Sequence, residues 1–256
     1  MRIAVAQISA TTDPLANLDL VEDNVVRAAA EGADLVVFPE ATMCSFARPA
    51  AEVAEPFDGP WAESVRGIAA RHGVSVAVGM FTTADSGRVR NTLLVAGPTE
   101  ARYDKIHLYD ALGYRESRTI APGEELATVE IAGVTVGLAI CYDIRFPAQF
   151  QSLAREGASV ILVSAAWAPG PHKIHQWRSL ATARGMDSTA FVVAVDQSAS
   201  GDPEVRALPT GVGHSIVVDP TGKVLLELGT ADELAVIDID PAEAEAARES
   251  LPILIP

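Results

Sequence analysis

An internal repeat constrains this chain more than any other feature of its sequence. The segment EGADLVVF at residues 31–38 returns as EGASVILV at residues 156–163. In both places a pattern typical of a helix comes first, a glycine ends it, and an apolar run of strand length follows. Repetition of such a unit predicts two structurally related halves, each built from alternating strands and helices.

Each half is predicted to have the order β-α-β-α-β-β. The first half contains predicted strands at 3–8, 34–38 and 74–78 and helices at 17–31 and 61–72. The second contains predicted strands at 134–140, 159–164 and 191–195 and helices at 147–156 and 172–185. A hairpin ends each half, with turns predicted at 97–98 and at 219–222, where Pro and Gly suit tight turns.

The predicted strands are apolar at nearly every position, so both faces of each sheet need cover. Two sheets packed face to face with helices outside would provide that cover. We therefore predict an α/β fold, a four-layer α-β-β-α sandwich whose halves are related by an approximate two-fold axis, with one half in each sheet. No linker or low-complexity segment separates the halves, so residues 1–256 are expected to form a single domain.

Charge and cysteine content narrow the class of protein. Nineteen Lys and Arg against 34 Asp and Glu give a net charge of −15, which argues against nucleic acid or an anionic membrane as a partner. The first residues lack the pattern of a signal peptide, and no apolar run approaches the roughly 20 residues of a membrane span. Two cysteines in 256 residues fit a reducing compartment. We expect a cytoplasmic protein.

One strand end has the features of a nucleophile. The apolar run Val134–Ile140 stops at Cys141, and the chain then continues as YDIRF into Pro147. Proline suits the first turn of a helix, so the thiol is predicted to lie on a sharp strand-to-helix turn whose backbone N–H groups can stabilise an anion. This is the arrangement of a nucleophile elbow with sulfur as the attacking atom. The alternative is a small, buried, apolar cysteine.

Charged residues follow two other strands. Glu40 comes after the strand at 34–38, and Lys105 comes after a predicted strand at 100–104. Side chains at the carboxyl ends of strands gather at one edge of a sheet. Glu40 could then accept the thiol proton and return it to a leaving amine, while Lys105 would favour a thiolate and a tetrahedral oxyanion. Glu116 lies in the stretch 106–126, which has no clear periodicity, and such long loops are usually functional or disordered.

Four short motifs in this order resemble the nitrilase superfamily of carbon–nitrogen hydrolases, closest to its branch of omega-amidases and deaminated-glutathione amidases. The motifs are FPE at 38–40, YDKIHL at 103–108, RESRTIAPG at 115–123 and CYDIRFP at 141–147. The resemblance extends from Arg2 to the C-terminal helix. It implies the sandwich predicted above, a homodimer or higher homo-oligomer, and no metal or organic cofactor. The implied reaction is hydrolysis of a small carboxylic-acid amide through a cysteine thioester, with release of ammonia or an amine.

The resemblance also implies a role for individual residues. Glu40 resembles the general base of the family, Lys105 its oxyanion lysine and Cys141 its nucleophile. Glu116 matches a second carboxylate that orders the lysine and the substrate. The backbone N–H of Tyr142 would be the second oxyanion donor.

Two further residues are expected to bind the substrate. Arg145 lies four residues past Cys141, and its guanidinium could hold a free substrate carboxylate through two parallel hydrogen bonds. The alternative is that Arg145 pairs with Asp143 or a helix end and only holds the turn. Trp167 is expected in the pocket wall, although the following segment at 168–177, APGPHKIHQW, departs from the family pattern.

Other functions stay open at this point. A papain-like enzyme would pair Cys141 with one of the five histidines. A catalytically silent relative would act as a binding protein, and an enzyme with the same catalytic set could hydrolyse nitriles or N-carbamoyl compounds. Cys44, four residues past Glu40, is either a redox partner of Cys141 or an ordinary buried thiol.

Overall fold

The computed structural model describes residues 1–84, 87–199 and 208–254. Its first half runs through β1 (Arg2–Gln7), α1 (Pro14–Ala30), β2 (Leu35–Val37), α2 (Pro60–His72), β3 (Ser75–Thr83), β4 (Val89–Ala96) and β5 (Ala101–Asp104). The second half runs through β6 (Thr128–Ile131), β7 (Val134–Ile140), α3 (Pro147–Arg155), β8 (Val160–Ala165), α4 (Lys173–Ser188), β9 (Phe191–Asp196), β10 (Ile216–Val218) and β11 (Val224–Glu227). The last two elements are β12 (Glu233–Asp238) and α5 (Ala242–Ser250). Within the described ranges, no helix is both long and apolar enough to cross a membrane.

The strands form two six-stranded sheets that repeat each other. The spatial order is β12-β1-β2-β3-β4-β5 in the first sheet and β6-β7-β8-β9-β10-β11 in the second. Three central strands of each sheet are parallel, namely β1, β2 and β3 in one and β7, β8 and β9 in the other. The hairpins add antiparallel strands, as predicted. The repeat in the sequence is therefore a repeat in the fold.

Each predicted half lies in a sheet of its own, but the last strand, β12, was not predicted. β12 follows the second half but pairs antiparallel with β1 of the first sheet, from Arg2 opposite Asp238 to Gln7 opposite Glu233. It takes the position beside β1 that β6 takes beside β7. Without it, the edge of β1 would expose a row of unpaired backbone groups. The end of the chain thus completes the sheet that its beginning starts.

Successive side chains along a strand point to opposite faces of the sheet and so belong to two different apolar layers. Ile3 and Val5 of β1 pack in a cluster with residues of the second sheet, such as Leu138. Ala4 and Ala6 of the same strand belong to a second cluster, which includes residues of α1 and α2. One face of the sheet is therefore covered by the other sheet and the opposite face by helices. The predicted four-layer α-β-β-α sandwich is confirmed.

Helix ends differ from the prediction for identifiable reasons. α1 begins three residues early, at Pro14, because the Asp13 side chain caps the helix by accepting a hydrogen bond from the backbone N–H of Leu15 (3.0 Å). α4 continues past Gly185, where the sequence predicted its end. A Cβ at Gly185 would lie 2.8 Å from the carbonyl oxygen of Asp219. This glycine permits close contact between α4 and the turn that follows β10, and does not end the helix.

Candidate active site

The candidate site lies where strand ends from both sheets meet. Glu40 follows β2, and Lys105 follows β5 directly. β5 runs in the same direction as β3, because two antiparallel pairings separate the two strands. Both residues therefore lie at the same edge of the first sheet. Cys141 follows β7 of the second sheet, and the face-to-face packing of the sheets brings it to the same place.

The turn that carries Cys141 is strained. A short 3₁₀ helix, Cys141–Arg145, connects β7 to α3, which begins at Pro147 as predicted. Cys141 has a φ of 46°, in the left-handed region that costs a residue other than glycine on the order of 1–3 kcal/mol. This conformation turns the chain sharply and leaves the thiol on the wall of a cavity. The predicted elbow is present.

A buried carboxylate holds this elbow in place. Asp143 accepts hydrogen bonds from the backbone N–H of Ile140 (2.9 Å) and the hydroxyl of Tyr103 (2.7 Å). It also accepts one from the backbone N–H of His107 (3.0 Å), and Nδ1 of the same histidine lies 2.9 Å from it. Tyr103 lies on β5, and His107 follows it closely. Asp143 therefore fixes the thiol relative to the segment that carries the candidate lysine.

Four buried side chains form a network beside the thiol. The Lys105 ammonium donates to Glu40 Oε1 at 2.8 Å and to Glu116 Oε1 at 3.1 Å. Asn91 of β4 donates its amide to the same two oxygens, at 2.7 and 3.3 Å. None of the four is more than 3% exposed. Asn91 was not predicted, because its neighbours Arg90 and Thr92 are polar as well and nothing in the local pattern distinguishes it.

Backbone groups hold the other oxygen of each carboxylate. Glu40 Oε2 accepts a hydrogen bond from the N–H of Ala166 at 2.8 Å. Glu116 Oε2 accepts one from the N–H of Tyr109 at 2.6 Å. Glu116 begins a short 3₁₀ helix inside the stretch 106–126, so this stretch contributes a carboxylate to the site. Both carboxylates are held in fixed positions before any ligand arrives.

The environment keeps the thiol protonated and the amine charged. Burial raises the pKa of Cys141 well above its usual range, and the nearby negative charge of Glu40 raises it further, while Lys105 acts in the opposite direction. Burial alone would lower the pKa of Lys105, but the negative charges of Glu116 and Glu40 outweigh it and raise that pKa. The site therefore combines a neutral thiol, a cation and two carboxylates. Such a thiol needs a base to become a nucleophile.

Every residue proposed for the site from the sequence lines one cavity, which is open to solvent. Its wall includes the thiol, the ammonium and both carboxylates. The wall also includes ten other residues, namely Phe46, Tyr109, Tyr114, Tyr142, Arg145, Ala166, Trp167, Ala168, Lys173 and Pro209. The cavity thus combines reactive groups with aromatic and cationic side chains.

The structure agrees with one part of the alternative considered for Arg145, contact with a helix end, because its partner Gln176 lies in the first turn of α4. The Arg145 guanidinium donates to Gln176 Oε1 at 2.7 Å, and no ion pair with Asp143 is found within the described residues. The guanidinium carbon lies 5.0 Å from the ring centre of Trp167 and 5.7 Å from that of Tyr142. Arg145 therefore lines the cavity, in contact with two aromatic rings that line it as well.

The competing candidate residues lie elsewhere. All five histidines fall within the described ranges, and none lines this cavity. His107 stacks on Phe146, with ring centres 3.6 Å apart. Cys44 is a free, fully buried thiol packed against Phe81, away from the cavity wall. Across the described ranges, no group of three or more His, Cys, Asp or Glu side chains is arranged to hold a metal ion.

Comparison with known proteins places this geometry in context. The sequence profile of the carbon–nitrogen hydrolase family matches residues 2–249. A protein from Mycobacterium tuberculosis named as a hydrolase is 52% identical over 264 aligned residues, which cover 99% of this chain and 94% of the relative. An omega-amidase from Mus musculus is 30% identical, with 99% of this chain and 93% of the relative covered.

A solved structure shares the fold as well as sequence. The crystal structure of Nit3 from Saccharomyces cerevisiae, described as a member of branch 10 of the nitrilase superfamily, superimposes with a TM-score of 0.86. The two sequences are 25% identical, and the match covers 99% of this chain and 94% of the yeast protein.

Proposed function

The chain belongs to the carbon–nitrogen hydrolase family of the nitrilase superfamily, and on that premise we propose that it is an amidase with Cys141 as its nucleophile. The proposed substrate is an amide of a small carboxylic acid. The observation that carries the proposal is the buried Lys105 ammonium, which bridges Glu40 and Glu116 and lines the same cavity as the Cys141 thiol on its strained elbow. This set supplies a nucleophile, a base and an electrostatic stabiliser without further groups.

The first half of the reaction forms a thioester. Glu40 accepts the proton of the Cys141 thiol as Sγ attacks the carbonyl carbon of the amide. Negative charge develops on the carbonyl oxygen, where the Lys105 ammonium and the backbone N–H of Tyr142 stabilise it. The C–N bond then breaks, and the proton held by Glu40 leaves with the nitrogen as ammonia or an amine. The acyl group remains on sulfur.

The second half releases the acid. Glu40 accepts a proton from a water molecule as its oxygen attacks the thioester carbon, and the same two donors stabilise the second oxyanion. The C–S bond breaks, and the proton returns to the thiol. Glu116 and Asn91 hold Lys105 and Glu40 in register through both halves, since each contacts the bridging network directly.

The cationic and aromatic part of the cavity wall supports an acidic substrate. Arg145 lies on the turn that leaves the elbow, and its guanidinium can donate two parallel hydrogen bonds to a carboxylate. The aromatic rings of Tyr142 and Trp167 flank it and form part of the same wall. An omega-amidase among the relatives is consistent with an amide at one end of a substrate and an acid at the other.

Ammonia release from a panel of amides tests the proposed function. Succinamate and 2-oxoglutaramate carry a carboxylate, and butyramide is an uncharged comparison. A matching nitrile and an N-carbamoyl compound complete the panel. We expect release from the acidic amides, preferred over butyramide by roughly 10- to 100-fold, because hydrogen bonds between charged groups contribute about 1.5–3 kcal/mol. Release from the nitrile or the N-carbamoyl compound alone, or from none, would overturn the amidase proposal.

The role of Arg145 has its own test. Arg145→Ala should lose most of the preference for succinamate over butyramide, while hydrolysis of butyramide continues. Arg178→Ala is a matched control, because Arg178 lies on α4, which Arg145 contacts, but pairs with Glu227 on the surface, outside the cavity. If Arg145→Ala retained the preference, the arginine would only hold the turn.

A further inference from the structure

Lys173 is a buried cation that the proposed reaction does not use. It is the first residue of α4 and is only 7% exposed, and it lines the cavity. Its Nζ lies 5.0 Å from the ring centre of Trp167 and 5.3 Å from that of Tyr109. In the part of the chain that the structure describes, no carboxylate pairs with it. A buried charge without a partner is costly, so its presence needs a reason.

Two more features make this position unfavourable for a lysine. The N-terminus of a helix carries partial positive charge, and α4, 16 residues long, has no acidic residue in its first turn. The Arg145 guanidinium faces the same indole ring from 5.0 Å. Burial lowers the pKa of Lys173, and Arg145 lowers it further. The N-terminus of α4, the Arg145 guanidinium and the Lys173 ammonium therefore all place positive charge in one part of the cavity.

Lys173 and Arg145 belong to a closed ring of contacts. Arg145 lies over Tyr142, Tyr142 contacts Tyr109 edge to face at 5.1 Å, and Tyr109 faces Lys173. Lys173 and Arg145 both lie 5.0 Å from the centre of Trp167, which closes the ring. We call these five side chains the collar. The Trp167 indole N–H donates to the carbonyl oxygen of Lys173 at 3.0 Å, and this hydrogen bond helps to fix the position of the collar.

We propose that the collar is an anion site in which Lys173 and Arg145 together hold the free carboxylate of the substrate. One carboxylate can accept two hydrogen bonds from the guanidinium while an ammonium approaches its remaining lone pairs. The aromatic rings would contact the carbon chain between this carboxylate and the amide at Cys141. The substrate class is accordingly the half-amide of a small dicarboxylic acid. This inference rests on the proposed amidase function and adds Lys173 as a determinant of specificity.

Steady-state kinetics of four proteins test the proposal. Lys173→Met keeps the length of the side chain and removes its charge, and Lys173→Arg keeps the charge. Lys223→Met is the matched control, because Lys223 is exposed on the turn between β10 and β11. We expect Lys173→Met to lower kcat/KM for succinamate by roughly 10- to 100-fold, mainly through KM, and to lower kcat/KM for butyramide far less. Lys173→Arg should retain most of the activity, and Lys223→Met all of it. Equal losses for both amides, or no loss for succinamate, would overturn the proposal.

Measuring succinate binding to a protein that cannot turn over substrate tests this inference independently of the proposed function. In a Cys141→Ala background, calorimetry should detect succinate binding that weakens at least tenfold when Lys173→Met is added. If the wild type hydrolysed no amide but succinate still bound through Lys173, the amidase proposal would fail and the anion site would stand. Absence of succinate binding, or equal binding to both proteins, would overturn the anion site.

Stability gives a readout that distinguishes binding from a structural role. Without ligand, Lys173→Met should unfold at the same temperature as the wild type or a higher one, because it removes an unfavourable buried charge. Succinate should raise the unfolding midpoint of the wild type more than that of the variant. A lower midpoint for unliganded Lys173→Met would mean that the lysine supports the fold, contrary to the proposal.

Discussion

At the scale of single residues, the protonation state of Cys141 determines whether a neighbouring group must accept its proton. A thiol whose pKa is raised by burial and by Glu40 has little thiolate at neutral pH, so in the proposed mechanism its proton moves as the bond to carbon forms. Glu40 raises this pKa, and it has one oxygen on Lys105 and the other on a backbone N–H. In the proposed mechanism the same residue therefore suppresses the free thiolate and accepts the thiol proton.

This double role of Glu40 predicts opposite changes in two rates. Glu40→Gln should lower amide turnover by roughly 10²- to 10⁴-fold through loss of the base. Because Glu40 raises the pKa of Cys141, its neutralisation should lower that pKa and increase the thiolate fraction at pH 8. Alkylation of Cys141 by iodoacetamide should then become faster in the variant, as measured by mass spectrometry across a pH series. Glu124→Gln, an exposed control, should change neither rate. Slower alkylation together with intact turnover would contradict the assignment.

Lys105 makes a second prediction at this scale. Lys105→Met should reduce kcat on the order of 10²- to 10³-fold, the scale of one lost oxyanion donor. Lys105→Arg should rescue poorly, because a planar guanidinium cannot occupy the small space between Glu40 and Glu116 that the ammonium fills at 2.8 and 3.1 Å. Kinetics of both variants on succinamate give the measurement, and full activity of Lys105→Met would show that the lysine is not involved.

At the scale of elements, β3 positions the loop that carries Glu40. The N–H of Gly79 donates to the carbonyl oxygen of Pro39 at 3.3 Å, and its own carbonyl accepts from Met43 at 2.9 Å. A Cβ on Gly79 would lie 2.7 Å from the backbone of Pro39 and Ala41. The loop and the strand can approach this closely only because position 79 has no side chain.

Gly79→Ala should therefore damage both stability and activity. The backbone of the Glu40 loop would have to move, and overpacking of this kind costs about 1–3 kcal/mol of unfolding free energy. We also expect a clear loss of kcat, since Glu40 moves with its loop. Gly229→Ala is the control, because a Cβ there meets no atom within 4 Å. Urea unfolding and succinamate kinetics measure the two effects, and a Gly79→Ala protein as stable and active as the control would refute this account of the loop.

Elements and site residues were predictable where local pattern and chemistry agree. β7 and the start of α3 match the prediction at Val134–Ile140 and Pro147, because an apolar run of strand length stops at Cys141 and a proline suits the first turn of the next helix. Gly185 misled the prediction of α4, since a glycine needed for a tertiary contact looks the same in sequence as one that ends a helix. Asn91 and Lys173 were missed for a related reason. Their importance comes from partners that are distant in the chain, and no local spacing encodes those partners.

At the scale of the whole molecule, the two sheets share one apolar layer and β12 links the end of the chain to its beginning. The proposed active site takes Glu40, Lys105 and Glu116 from one side of this layer and Cys141 from the other. Neither half alone could assemble the site. The resemblance to the family also implies a homo-oligomer, which stays a prediction for this chain.

This shared layer predicts cooperative unfolding of residues 1–256 as a single domain. Trp61 lies on α2 in the first half, and Trp167 and Trp177 belong to the second. Trp61→Phe therefore leaves fluorescence that reports on the second half, and the double variant Trp167→Phe/Trp177→Phe leaves a probe in the first. After correction for any change in stability, the fluorescence of both variants should report the same urea unfolding transition as circular dichroism. Two separate transitions would indicate independently folding halves.

The most direct test of the central claim is mass spectrometry of Cys141 during turnover. Acid quenching in the presence of succinamate should trap the acyl group as a thioester on the peptide that contains Cys141, and hydroxylamine should remove it. Cys141→Ala should fold, release no ammonia and carry no adduct, while Cys44→Ala should behave like the wild type. Steady release of ammonia with Cys141 unmodified, or with the acyl group on Cys44, would contradict the mechanism.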